Sequence, residues 1–522
     1  MNFRNILVLM AFAVPSSVLA QYDWQDQTEV KKMYLRDNLN YKMEMQGSYS
    51  SHQTPLWLNA NKYGLSSLDR TNGYLRLGAI RPLHTDSARR WGVGYGVDLV
   101  VPSHYTSHFV VQQAFIEGRW LNGVLTIGSK EYPMELKSNT LSSGSQTLGI
   151  NARPVPQVRL SLPEYWTIPI LGRWFHLKGH IAYGMFTDDN WQQDVTQKQT
   201  RYTRHALYHS KAGYLMIGSP ERFCPWSLEL GLEMAAEFGG TSYQPNSEGI
   251  MVGTRSGHSL VDFWRAFIPS GQDASDGEYG NIEGNQLGSW LARLNYDAET
   301  YTVSFYADHF FEDHSQMFLL DYDGYGSGDE WNVKKHNRFF MYALKDIMLG
   351  GELKLKYGSW LRGLVIEYIN TKYQSGPYNH DRTSEISDHV AGQDDYYNHG
   401  NYTGWQHWGQ VMGNPLFRSP IYNTDGIIRV EDNRFKAFHL GVEGQPSENI
   451  TYRILASYQE GFGTYNDPYT KKRHNVSTSV EATYHFPHHW NVKGAYGMDF
   501  GSILGHTAGF QLTVTKTGVF HL

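Results

Sequence analysis

Four stretches toward the C-terminus alternate apolar and polar residues with a period of two, over roughly the 9–11 residues that a tilted membrane strand needs. In 450–458, Ile450, Tyr452, Ile454, Ala456 and Tyr458 share one face, and Thr451, Arg453, Leu455 and Ser457 the other. In 476–486 the apolar face is Val476, Val480, Ala482, Tyr484 and Phe486, set against Ser477, Ser479, Glu481 and Thr483. The pattern returns at Val492, Tyr496, Met498 and Phe500, and again at Ala508, Phe510, Leu512 and Val514. Successive strand side chains point to opposite faces, so each stretch predicts a strand with one apolar and one polar face. A soluble antiparallel sheet alternates in the same way. Aromatic residues near the strand ends, where a membrane barrel carries its interfacial girdles, tip the reading to a transmembrane barrel. The connections agree: 445–449 and 487–489 are tight, whereas 463–471 and 501–507 are longer, as when short periplasmic turns alternate with outer loops.

The same texture predicts strands at 41–49, 94–100, 109–116, 174–185, 227–237, 302–309, 352–357, 361–369 and 435–442. At roughly 25–30 residues per strand and connection, the chain accommodates about 16–20 strands, and an even number near 18 is expected. Other stretches do not read as strands. Residues 260–267 (LVDFWRAF) place apolar positions at helical spacing before a Pro-Ser-Gly breaker, which predicts a short helix. A second helix is expected at 28–36, and 141–158 is too rich in proline for a central strand. The polar, Tyr-, Trp-, Asn- and Gly-rich segment 373–428 predicts large loops.

The N-terminus adds a compartment. Arg4, the apolar run 6–14 and Val18-Leu19-Ala20 read as a cleaved export signal over 1–20, leaving 21–522 as a single barrel domain. Cys224 is the only cysteine, so no intramolecular disulfide forms, and no thiol follows the cleavage site to carry a lipid. Aromatic residues make up 14% of the chain, with 36 Tyr, against only 18% charged, a balance that suits a barrel wall better than a soluble enzyme. A mean hydropathy of −0.49 and the lack of a second long apolar run exclude a helical membrane protein. The net charge of −6 is small for 522 residues and points away from nucleic acid as a partner.

Candidate chemistry lies in the loops. Flat aromatic faces beside carboxylates can bind a sugar's apolar side and its hydroxyls together. One loop brings Asp394, Asp395, Tyr396, Tyr397, Tyr402, Trp405 and Trp408, and another Asp321, Tyr322, Asp323, Tyr325 and Trp331. The competing reading makes the same aromatics girdle or loop-packing residues. Asp321-Tyr322-Asp323-Gly324 resembles the start of a calcium loop, but the pattern is not continued, so no metal is assigned. A barrel-wall hydrolase is the enzymatic alternative. Its histidine–serine pairs 209–210, 258–259 and 314–315 are sequence neighbours, and neighbours on a strand face opposite ways, so no catalytic residue and no cofactor is assigned. A solute channel is a further alternative, since lumen-facing Arg453, Glu481, Lys493 and Asp499 suit an open pore as well as a filled barrel.

An ordered set of segments resembles the Wzi-type capsule assembly family of outer-membrane proteins. It runs from 54–64 (TPLWLNANKYG) through Gly128-Ser129-Lys130, 151–158, His209-Ser210-Lys211, Asp262-Phe263-Trp264-Arg265 and Phe311-Glu312-Asp313 to 402–417 (YTGWQHWGQVMGNPLF). The resemblance implies an all-β transmembrane antiparallel barrel of about 18 strands, with a few short helices plugging the periplasmic end. It implies a non-catalytic, lectin-like function: binding an exported capsular or surface polysaccharide and helping to retain it at the cell surface. Outer-membrane lipid and a polysaccharide export machinery are the further partners it implies.

Overall fold

The computed structural model describes residues 34–520, except 88–89, 220–223, 269–283, 313–319, 322–327, 331–332, 334–337, 340–345, 375–377, 381–388 and 392–393. The expected export signal over 1–20 therefore lies outside the described residues, as do Tyr322, Asp323, Tyr325 and Trp331. Of the expected helix over 28–36, only 34–36 is described, and it enters a turn. Two units are distinguished: Asn38–His521 holds the barrel, and Met1–Asp37 with Leu522 forms the other. In the latter, the Tyr34 amide donates to Asp37 Oδ2 (3.1 Å).

Eighteen strands form one antiparallel sheet in consecutive order. They are β1 (Asn40–Ser50), β2 (Thr71–Arg81), β3 (Trp91–Ser103), β4 (Val110–Trp120), β5 (Gly123–Ser129) and β6 (Gln157–Thr167). Next come β7 (Phe175–Met185), β8 (Leu207–Ile217), β9 (Trp226–Phe238), β10 (Asn285–Asp297), β11 (Tyr301–Glu312) and β12 (Ile347–Leu355). The last are β13 (Gly363–Asn370), β14 (Phe435–Ser447), β15 (Ile450–Gly463), β16 (Pro468–Phe486), β17 (Trp490–Gly501) and β18 (His506–Val519). The sheet closes where β1 pairs with β18, from Asn40 opposite Val519 to Ser50 opposite Gly509, so no edge is left exposed.

The wall is inside out relative to a soluble protein. Along β16, Asn475, Ser477, Ser479 and Glu481 are buried, while Val476, Val480 and Tyr484 are exposed. Met43 and Met45 of β1 and Leu75 and Leu77 of β2 are exposed as well, and the polar residues between them face the lumen. Burying polar groups and exposing an apolar belt is stable only where the outer solvent is hydrocarbon. Among the described residues, no helix is long and apolar enough to cross a membrane. Trp91, Trp120, Trp226, Phe486 and Trp490 are exposed at the end with short turns, and Tyr49, Phe109 and Phe500 at the opposite end. These are the two girdles. Short turns such as 121–122, 448–449 and 487–489 lie at the same end as the strand termini Asn40 and Val519, which marks the periplasmic side.

The long connections 51–70, 130–156, 186–206, 239–284, 313–346 and 371–434 all lie at the other end. Three of them turn inward and supply much of a single core together with the wall: Leu56 and Trp57 from the first, Leu141 and Val155 from the second, Tyr397, Trp405 and Phe417 from the last. The inserted chain has little regular structure, so its backbone polar groups need partners, and the polar lumen supplies them. Ser142 Oγ and the Ser143 amide donate to the Glu367 carboxylate (2.5 and 2.9 Å). The Leu56 amide donates to Asp499 Oδ2 (2.9 Å), and Gln511 Nε2 to the Leu58 oxygen (3.0 Å). Gly441 of β14 lets the Leu141 backbone touch the wall, because a Cβ there would overlap the Leu141 oxygen.

The barrel, its strand count and the inward polar face are as expected from the sequence. Among the described residues the α-helices, α1 (Leu56–Asn59), α2 (Trp191–Thr196) and α3 (Leu260–Phe267), all belong to connections at the outer end. The described filling thus enters from outside as irregular chain, while the periplasmic end carries short 3-10 helices such as Leu83–Asp86, whose Asp86 is buried against Arg81. The reason for the irregular filling is the sequence of the insert: Gly, Ser, Pro and Asn at 138–156 and 404–415 suit tight, side-chain-bonded loops rather than helices.

Candidate functional site

Above this core, three connections and the ends of two strands line a polar cavity of about 440 Å³ at the outer mouth. The segment 371–434 supplies Asp394, Asp395, Asn398, Tyr402, Arg429 and Glu431; Arg201 comes from 186–206, Glu312 from the end of β11, and Thr464 and Asp467 from the β15–β16 turn. Carboxylates and cationic or amide donors thus face a common space, the inventory needed to bond several hydroxyls at once.

The cavity wall is fixed before any ligand arrives. Asn398 bridges strands of the loop: its Nδ2 donates to Asp395 Oδ1 (3.0 Å) and to the Val430 oxygen (2.9 Å), and its Oδ1 accepts from the Val430 amide (2.8 Å). Asn433 Nδ2 also donates to Asp395 Oδ1. Arg201 donates to the His399 oxygen (2.6 Å), tying two connections together. Burial, reinforced by the Arg201 charge, holds His399 down at about 4, so its ring is neutral at physiological pH and Nδ1 accepts from the Asn401 amide (3.0 Å). Arg429 stays 40% exposed while pairing with Asp425 and Glu431 (3.6 and 3.5 Å), so it can reach a ligand without leaving a buried charge behind.

The aromatic residues singled out in the sequence separate. Tyr402 lines the cavity, its hydroxyl donating to the Gly239 oxygen (3.1 Å). Tyr396, Tyr397 and Trp405 are fully buried, at 0% exposure, and present no ring face to the cavity. Tyr397 stacks within 4.1 Å of Phe417, and Tyr396 meets Phe310 edge-on at 4.7 Å. Trp408 lies elsewhere, with the Arg153 guanidinium 4.2 Å above its ring. It sits at the turn between the paired residues Gln406–His407 and Gln410–Val411, with a φ of 56°. A bulky residue rarely holds that conformation. In the second group, Asp321 pairs with Arg338 in a short two-stranded ladder.

Sequence reasoning missed Arg201, Glu312, Asn398, Arg429 and Glu431. It looked for carboxylates beside aromatics, whereas the cavity draws on the Asp-, Asn- and Arg-rich run 423–434 (NTDGIIRVEDNR), which has no aromatic at all.

Behind the cavity, Asp432 accepts from the Gly463 amide (3.1 Å) and is fully buried. Burial pushes its carboxyl from 3.8 up to about 7. The folded chain therefore holds this proton more tightly than the unfolded chain, and the stability it contributes is full below 3.8 and is lost as pH rises toward 7. Asp432→Asn keeps an acceptor for Gly463 and removes the titration. The variant should flatten the decline in thermal midpoint between pH 4 and 7; a slope equal to that of the parent protein would refute this assignment.

No family model matches the chain, and no curated protein matches it. Among solved structures it is similar to Wzi, described as an outer-membrane protein involved in group 1 capsule assembly in Escherichia coli and a carbohydrate-binding β-barrel, at 14% identity and a TM-score of 0.54, over 92% of this chain and 85% of that one. It is also similar to the outer-membrane protein OprD from Pseudomonas aeruginosa, at 8% identity and a TM-score of 0.43, over 92% and 93% of the two chains. At 14% identity the likeness to Wzi establishes the fold alone.

Proposed function

We propose that this outer-membrane barrel binds a carbohydrate polymer at its outer mouth and retains it at the cell surface without chemical change. The observation that carries the reading is the cavity itself: a hydroxyl-binding set of carboxylates, amides and Arg429 that opens above a buried core. A polar pocket lying above a buried core suits a ligand held from outside. The reading is supported by the likeness of its fold to that of a carbohydrate-binding barrel. On this reading the chain is exported by a cleaved signal over 1–20, and a capsular or surface polysaccharide reaches it from an export machinery. No reaction is proposed.

Arg429→Ala should lower affinity for the host's own surface polysaccharide by about tenfold or more, the worth of a charge-assisted hydrogen bond, with the thermal midpoint unchanged. Calorimetry with purified polymer reads both. Equal affinity of variant and parent would remove this cavity as the site.

A solute channel is the second reading. Toward the periplasmic end a space of about 1040 Å³ lies beside Lys42, Arg76, Asp98 and Glu131, charged groups suited to passing small ions. Planar bilayers separate the two: steady open conductance without polymer binding would support the channel and defeat retention.

A further inference from the structure

The wall breaks its inside-out rule across β7–β10. Near their outer ends, the outward positions include Tyr183, His209, Lys211 and Gln286, which are polar, yet His209 and Gln286 are 1% and 2% exposed. Helix α3 lies over them on the outside of the barrel. Tyr183 donates from its hydroxyl to the Phe263 oxygen (2.9 Å), Gln286 Nε2 to the Arg265 oxygen (3.4 Å), and Lys211 Nζ to the Phe267 oxygen. Phe263 packs against Tyr183 and Phe238 at 5.3 and 5.2 Å.

Both helix ends are closed in ways that make it independent of water. The last carbonyls of a helix lack intrahelical partners, and here wall side chains supply two of them, at Arg265 and Phe267. At the start, Ser259 and Asp262 form a reciprocal capping box. The face turned away from the wall is mostly apolar: Leu260, Val261 and Trp264 are 88%, 57% and 56% exposed, with Arg265 beside them, 3.9 Å from Asp262 and long enough to lift its charge toward the headgroups. Directly below, one step further along each strand, an apolar groove of about 1010 Å³ runs past Ile181, Gly213, Leu230, Trp290, Ala292 and Ala307. The exposed helix face and the groove are therefore continuous with the lipid-facing belt.

Height sets the leaflet. From Trp226 in the inner girdle, about ten residues of a strand tilted about 40° rise roughly 25 Å, the height of the apolar band, and reach Ala236 beneath α3. We infer that α3 is a lateral element embedded at the outer edge of the hydrocarbon, where it and the groove beneath it bind the acyl chains of outer-leaflet lipid. The polar outward residues of β7–β10 are tolerated because the helix shields them from those chains.

Depth-dependent quenching tests this. In a Cys224→Ser background, single cysteines at Leu260 or Trp264 carry an environment-sensitive fluorophore, in vesicles containing spin-labelled phospholipid. Val480→Cys on the bare wall and Glu248→Cys in the same connection are the lipid and water references; all four side chains are exposed, so labelling leaves the wall packing intact. The labels at 260 and 264 should be quenched by chain-labelled lipid to within about twofold of position 480 and be shielded from an aqueous quencher. Quenching like that at 248 would place α3 in water and overturn the proposal. Shielding from both quenchers would mean a protein partner, such as a second copy, covers the helix, and would overturn it equally.

Discussion

Trp405→Ala is expected to destabilise the barrel's filling by about 3–5 kcal/mol, the usual cost of removing a buried tryptophan, and to raise conductance across a planar bilayer. The indole has no exposed surface. It stacks on Tyr208 at 5.9 Å, meets Phe186 edge-on at 6.3 Å, and donates from Nε1 to the Thr147 oxygen (3.0 Å). It therefore joins two inserted connections, 130–156 and 371–434, to strand β8. Deleting it leaves a cavity and strands the Thr147 carbonyl, and the insert has little regular structure of its own to resist loosening. Trp408→Ala is the contrast, because that ring is partly exposed and held by one guanidinium. Single-channel recordings and thermal midpoints should place the two variants far apart. Equal, small effects would mean that the aromatic core does not seal the lumen.

The second large effect concerns charge. Lys137 and Asp308 form an ion pair at 2.6 Å with side chains 1% and 0% exposed. Asp308 also accepts from the Gln146 amide and from its Nε2, both at 3.2 Å. Lys137→Met leaves the carboxylate buried without its cation, which typically costs about 3–5 kcal/mol. Replacing both members, with Asp308→Asn added, should recover much of that loss, since the amide still accepts from Gln146 while nothing is left charged. A double variant as unstable as the single one would show that the pair's hydrogen-bond geometry matters more than its charge.

Much of the wall was readable in the sequence, through the apolar face that meets lipid. The alternation over 450–458 and 476–486 corresponds to β15 and β16, and the helical spacing of LVDFWRAF to α3. Strands β2, β5, β6, β8 and β10 were not singled out, and for β8 and β10 the reason is physical. Their outward positions Lys211 and Gln286 break the apolar face, because a helix covers them instead of hydrocarbon. The candidate site was half legible. Asp394, Asp395 and Tyr402 line the cavity, but an aromatic loop reads alike whether its rings face a sugar or fill a lumen. The glycines interspersed among those rings were the available sign: at Gly413 a Cβ would overlap the Tyr397 hydroxyl, as tight packing requires.

Chain order adds a point about assembly. The largest inserted segment, 371–434, precedes the five strands β14–β18 whose last member meets β1 at the seam. While that seam is open, β1–β13 form a curved sheet whose concave face already presents Glu367, Asp308 and Ser289, the partners of Ser142, Lys137 and Thr147. The vessel can thus be packed through its open side and sealed afterwards, so that threading 371–434 through a finished ring is never required.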